Sequence, residues 1–150
     1  MILGIDTATT ICSIALFDKE KVVVCQEDYS PNSHSEVITV LMREALEEAG
    51  VDRGQIEAII LADGPGSYTG LRIGTSAAKG LSYVLDIPLL AVSHLKATSM
   101  ETKSRYPSAD YILAAIDARR DNVYALIIDN KGDEILSVEL VDVEKTLPNK

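Results

Sequence analysis

Cysteine is scarce in this chain, basic residues are outnumbered, and no apolar run is long enough to cross a bilayer. Each shortage removes a class of protein. A membrane-spanning helix needs about 20 mostly apolar residues, whereas here a hydrophobic content of 47% is broken into short runs. A soluble globular protein is expected. Cys12 and Cys25 both lie in strand-like apolar stretches; this predicts two reduced, buried thiols in a cytoplasmic protein, not a disulfide framework. Fourteen Lys and Arg against 23 Asp and Glu leave a net charge of −9. Nucleic-acid binding takes clustered cations, so contact with RNA is expected only indirectly, through a more basic partner. The opening Met-Ile-Leu-Gly-Ile-Asp has neither the basic nor the apolar region of a secretory signal. A length of 150 residues suffices for one domain, or for one domain and part of a second.

Catalytic signatures are missing too. A helical metal site needs two imidazoles one turn apart, yet Ile38 follows His34 and Thr98 follows His94 at that spacing. No metal site is expected, and His34, near a helix start, reads as a surface or interface side chain. Ser67 sits in Gly-Pro-Gly-Ser-Tyr, not in G-x-S-x-G. No Ser-His-Asp or Cys-His grouping can be argued.

What is present is glycine, concentrated in one place. Ala62 to Gly74 holds four glycines and a proline between residues 64 and 74. Glycine permits sharp turns and close backbone approach, and Gly74 and Gly80 within a helix would each cost about 1 kcal/mol relative to Ala. A strand, glycine loop and helix start can cradle phosphate. The spacing fits that poorly: no Gly-Lys-Ser/Thr ends the loop, and Gly64, Gly66 and Gly70 give G-x-G-x-x-x-G.

Along the chain, residues 1–5, 10–17 and 21–27 read as a three-strand antiparallel meander. Ser33-His34-Ser35-Glu36 matches a capping box, with the Ser33 hydroxyl on a first-turn amide and Glu36 reaching back. The helix it starts runs to Ala49 before Gly50. A strand over 56–62, a helix over 70–86, a strand over 89–92 and a helix from Ser93 to about Ser104 follow. This βββαβαβα order predicts an α/β fold, a ribonuclease H-like or actin-like (ASKHA) lobe over 1–106. Beyond Tyr106 the pattern repeats. Ile5-Asp6 aligns with Ile116-Asp117 at an offset of 111, and Asp18 with Asp129. Residues 112–117, 122–128 and 134–141 then form a second meander, so 107–150 reads as the incomplete start of a second lobe.

Three aspartates could carry chemistry in this layout. Asp6 and Asp63 end neighbouring parallel strands, which would suit a two-metal nuclease if a further carboxylate pointed inward. Asp6 and Asp117 would flank nucleotide phosphates in an actin-like ATPase, with Thr7 to Thr10 as the phosphate-facing turn. Ala8 and Thr9 stand where a glycine commonly follows such an aspartate. The two helices after the meander favour association instead. On the first, Ile38, Leu41, Met42, Ala45, Leu46 and Ala49 share a core face, which Val37 and Val40 widen. On the second, Gly70, Gly74, Ala77, Ala78, Leu81 and Leu85 share one side; Ile73, Ala77, Gly80 and Val84 share another. One side can cover the sheet, and the other needs a different cover.

Taken together, Ile2-Leu-Gly-Ile-Asp-Thr-Ala-Thr9, the His34-Ser35 helix start, the loop Gly64 to Gly74, Ala78-Lys79-Gly80-Leu81 and Asp117-Ala118-Arg119-Arg120 before Val123-Tyr124 resemble the bacterial TsaB (YeaZ) proteins. The resemblance implies an actin-like fold and common ancestry with TsaD, which threonylcarbamoylates the adenosine beside the anticodon of ANN-decoding tRNAs and carries a helical H-x-x-x-H pair. It implies a non-catalytic subunit that binds TsaD, with the ATPase TsaE joining, and a homodimer through the same two helices. The expected contact residues are His34, Val37, Leu41, Leu71, Gly74, Thr75, Ala78, Lys79 and Ser82, and Gly74→Arg is expected to block binding while sparing the fold. Asp6, Thr7, Thr9 and Asp117 are the nucleotide-proximal candidates. The chain itself needs no cofactor, with ATP or ADP admissible at the interface of the complex.

Overall fold

Alternating burial builds the first sheet. In the computed structural model, which describes residues 1–30 and 33–142, β1 (Ile2–Asp6), β2 (Cys12–Asp18) and β3 (Lys21–Asp28) form the expected antiparallel meander. Along β2, Cys12, Ile14 and Leu16 are buried while their neighbours are half-buried, the period of two that a strand imposes. α1 (His34–Ala49) packs on β2 and β3. It stops at Gly50, whose φ of 63° suits the residue that ends a helix in the left-handed region. β4 (Ala58–Ala62) pairs in parallel with β1, and β5 (Leu89–Val92) in parallel with β4. α2 (Tyr68–Leu85) is the crossover between them. The sheet order β3-β2-β1-β4-β5 is the ribonuclease H-like, ASKHA-type arrangement.

Three local expectations need correction. Ser33 does not cap α1 with its side chain: its hydroxyl donates to the Asp28 carboxylate and to the Ser30 carbonyl. That hydroxyl is the main cause holding the Asp28 carboxyl below its ordinary range. A reciprocal turn of this kind forms instead at the 3-10 turn Arg53–Gln55, where the Asp52 amide donates to Gln55 Oε1 at 2.9 Å. α2 starts two residues before Gly70 because Ser67 Oγ accepts the Gly70 amide at 3.3 Å.

The third correction concerns the cysteines. Cys12 is buried and Cys25 exposed, both free. Cys25 pairs with Ala15 in the register, on the opposite side of the strand from buried Val24. Burial pushes the Cys12 thiol up to about 11, with the Asp28 and Asp6 charges adding to it. A thiolate is the reactive species. A thiol reagent at pH 8 should therefore label one cysteine in the native protein and two in urea, and Cys25→Ser should abolish the native labelling. Native modification of Cys12, read by peptide mass, would contradict this burial.

Packing divides the chain into two compact units, Met1–Val92 and a second beginning at Ser93. α3 (His94–Arg105) starts where Ser93 Oγ accepts the Lys96 amide, as expected. It packs on β6 (Tyr111–Arg119) and β7 (Asn122–Asp129). Leu95 from α3 joins Ile112, Ala114, Leu126 and Ile128 in a separate core. The boundary anticipated at residues 106/107 thus falls ahead of α3, because Leu95 has its apolar partners in the second unit. β8 (Glu134–Asp142) completes a sheet of order β6-β7-β8. The internal repeat extends to detail: Asp6 Oδ1 accepts the Ala8 amide at 2.8 Å, and Asp117 Oδ1 accepts the Arg119 amide at 2.7 Å. The end of the expected second lobe, residues 143–150, lies outside the described residues. Among those described, no helix is long and apolar enough to cross a membrane.

Candidate partner-binding face

The glycine loop closes on the chain itself. A Cβ at Gly66 would lie 2.2 Å from the Ala8 carbonyl oxygen, one at Gly70 2.1 Å from the Thr7 carbonyl oxygen, and one at Gly74 2.2 Å from Thr7 Oγ1. Only glycine permits that approach. The Ser67 amide donates to the Ala8 carbonyl at 2.7 Å, and Thr7 Oγ1 donates to the Gly70 carbonyl at 2.8 Å. Residues spaced four apart therefore clasp the turn after β1. The same turn is held from α1, where His34 Nε2 donates to the Thr9 carbonyl at 3.0 Å. A carbonyl only accepts, so this nitrogen carries the hydrogen.

This clasp does not fit a phosphate-facing turn. Thr7 is fully buried, and its hydroxyl proton is directed to Gly70, so Thr7 is corrected from nucleotide candidate to clasp residue. Thr9 Oγ1 accepts the Ile11 amide at 3.2 Å, closing a local turn. Asp6 holds the Ala8 amide from the end of β1, and Asp117 occupies the equivalent place in the second unit. Asp63 follows β4, next to β1 in the sheet, and its amide donates to the Val92 carbonyl at 3.1 Å. Among the described residues no three His, Cys, Asp or Glu side chains come together in a way that could hold a metal ion. His34 is buried and bonded to Thr9, and Ile38 behind it is in the core. The pair does not fit a metal, and the reading of His34 as a surface side chain is corrected.

The expected contact residues divide by helix side. His34, Leu41, Gly74 and Ala78 face inward: Ala78 has 0% exposure, Leu41 joins the core, and Gly74 touches Thr7. They cannot meet a partner without opening the unit. Gly74→Arg would drive a side chain into Thr7, so the expectation that it spares the fold is withdrawn. Ser82 Oγ donates to the Ile87 carbonyl at 2.6 Å and ties down the end of α2. Val37 packs against the core, Leu71 lies against Gly64, Thr75 is half-buried, and Lys79 is exposed.

The free side of α2 is the other one. Nothing lies within 4 Å of a Cβ built at Gly80. Val84 is 76% exposed and Tyr83 88%, while Ile73 and Ala77 are only partly covered by the core. Where α1 and α2 lie side by side they leave hollows. One, of about 630 Å³, is lined by Met42, Leu46, Val51, Ile56 and Leu81 among others. Another, of about 440 Å³, lies between Ser35 and Tyr68, Arg72, Ile73 and Ser76. Helical periodicity had placed Ile73, Ala77, Gly80 and Val84 on one side. It did not tell which side the sheet takes.

A ribonuclease H-like lobe with a glycine clasp and an open α1–α2 face, followed by the start of its own repeat, defines an actin-like two-lobe class. A family model described as "TsaD: tRNA N6-adenosine threonylcarbamoyltransferase" matches residues 28–150. The chain belongs to this family, on its TsaB/YeaZ branch. It is similar to the "tRNA threonylcarbamoyladenosine biosynthesis protein TsaB" of Escherichia coli, 38% identical over 82% of this chain and 52% of that protein. The Bacillus subtilis protein of the same name is 36% identical over 87% of this chain and 56% of its own. The solved structure "YeaZ from Pseudomonas aeruginosa" superposes with a TM-score of 0.79 at 34% identity, over 93% of this chain and 65% of that one. The chain thus spans about half the length of the curated relatives it matches.

Proposed function

We propose that this chain is a non-catalytic scaffold subunit in tRNA threonylcarbamoyladenosine biosynthesis. It binds a TsaD-type catalytic subunit in the cytoplasm, a TsaE-type ATPase joins them, and the target is the adenosine beside the anticodon of ANN-decoding tRNAs. The observation that carries this is the incompletely covered side of α2 beside α1. There Gly80 faces open space, Val84 is exposed, and Ile73 and Ala77 are only partly covered. Small residues let a partner helix come close, and a stable contact needs about 800 Å² from each side. Binding the competent shape of the catalytic subunit more tightly than its other shapes raises the population of that shape. A second copy can use the same side, so homodimer and heterodimer compete. The scaffold role itself needs no cofactor, and ATP or ADP belongs to the seam of the complex.

Gly80→Arg tests the reading. The new side chain meets open space, and removing a helical glycine adds about 1 kcal/mol of helix stability. The variant should melt no lower than the parent, yet copurification with the TsaD-type subunit should fall at least tenfold. Undiminished copurification would sink this face as the contact. Turnover of Mg-ATP by the isolated chain, abolished in Asp6→Asn, would replace the scaffold with an actin-like ATPase or ribonuclease H-like enzyme.

A further inference from the structure

The β6–β7 hairpin is built against its own backbone preference. Arg119, Arg120 and Asp121 lie at φ of 66°, 53° and 62°, three successive non-glycine residues in the left-handed region. A two-residue hairpin loop of this hand favours Asn-Gly or Asp-Gly; here Arg120-Asp121 fills it, after an irregularity in pairing between Asp117 and Arg119. The tip is nonetheless firmly held. Asp117 Oδ1 accepts the Arg119 amide at 2.7 Å, and Asn122 Nδ2 donates to the Arg120 carbonyl at 2.7 Å and the Arg119 carbonyl at 3.4 Å. Strain kept in place by surrounding bonds points to function.

The two guanidiniums are also exposed, with Asp117 and Asp121 flanking them. Arg43 and Arg105 pair with Glu47 and Glu101, and Arg72 lies over the Tyr68 ring. Among the described residues Arg119 and Arg120, like Arg53, make no ion pair, in a chain of net charge −9, and only these two stand side by side. A hollow of about 620 Å³ opens beside them, lined by Ala115, Ile116, Asn122 and Val123 together with Asp117 and Asp121. We infer that the Arg119–Arg120 hairpin is a phosphate-contact site for the RNA substrate of the assembled complex. Planar guanidinium forks suit phosphate oxygens, and phosphate contacts fix the register of a nucleic acid without reading its sequence. An acidic protein repels RNA over most of its surface, so two exposed guanidiniums on a short, stiff tip can touch the backbone where a broad patch is lacking. This inference rests on the scaffold reading and alters its expectation of purely indirect RNA contact.

The test uses the chain assembled with its TsaD-type and TsaE-type subunits and an unmodified ANN-decoding tRNA transcript, with affinity measured across a salt series. Arg119→Ser with Arg120→Ser should weaken binding about tenfold and lower the slope of log affinity against log salt by about 2, near one per lost phosphate contact. Arg105→Ser, which removes a paired arginine, should change neither. Copurification is read in parallel and should be unchanged. An intact complex with unaltered affinity and slope overturns the inference and leaves the scaffold reading standing. Loss of assembly instead assigns the hairpin to an acidic protein surface and also overturns it. Arg120→Gly with Asp121→Gly supplies a folded control, because glycine accepts this conformation: it should melt higher while the salt slope falls by about 1. Full RNA affinity and an unaltered slope in that variant would equally sink the site.

Discussion

Gly70→Ala should destabilise the first unit by about 3 kcal/mol or more, the upper range for forcing atoms into a filled interior. The added methyl would meet the Thr7 carbonyl oxygen at 2.1 Å, and that carbonyl belongs to the backbone of a fully buried residue. No side chain can swing away to relieve the contact. A domain typically holds about 5–15 kcal/mol in total, so one methyl group threatens a large share of it. Gly80→Ala is the matched comparison: the same change on the same helix meets empty space and should gain about 1 kcal/mol. Urea melts of the two variants should shift in opposite directions. Equal shifts would show that helix propensity, not the clasp, governs both sites.

Leu126→Ala should cost about 2–5 kcal/mol, the usual range for emptying a leucine site in a core. Leu126 is fully buried, and among the described residues the cluster it belongs to holds five buried residues, Leu126 included. So small a core has little to lose. The second unit should then open while the first stays folded, and the melt should cease to be a single transition. Limited proteolysis read by mass should show cuts beyond Ser93 with the 1–92 segment intact. Ile59→Ala, in the core of the first unit, should give the converse pattern. A single cooperative transition in both variants would show that the two cores melt together.

Much of this fold was legible because strand and helix periods are local. The meander, both parallel strands and all three helices fall within a few residues of where the apolar pattern and breakers place them. The duplicated aspartate turn was legible too, since Asp6 and Asp117 each act on a residue two positions on. What failed depended on partners distant in sequence. Gly74 read as an interface residue because its reason for being glycine is Thr7, far back in the chain. Periodicity groups residues by side; only the sheet decides which side turns inward. Ser33 and Glu36 have the capping spacing, yet Asp28 five residues back offers a charged acceptor, and the hydroxyl goes there. His34 offered no local sign that a carbonyl of the first loop would bind it. The Arg119–Arg120 turn was visible as a pair of cations, but its left-handed backbone was not.

β8 has practical weight for anyone handling the protein. It forms one edge of its sheet, and Ile135, Val138 and Leu140 along it are exposed. Among the described residues that edge is unpaired, and an edge strand with greasy side chains is a template for sticking to its own kind; mutual repulsion between molecules of charge −9 opposes that contact. Concentrated salt weakens that repulsion, so dilute, low-salt buffers are the gentler storage conditions.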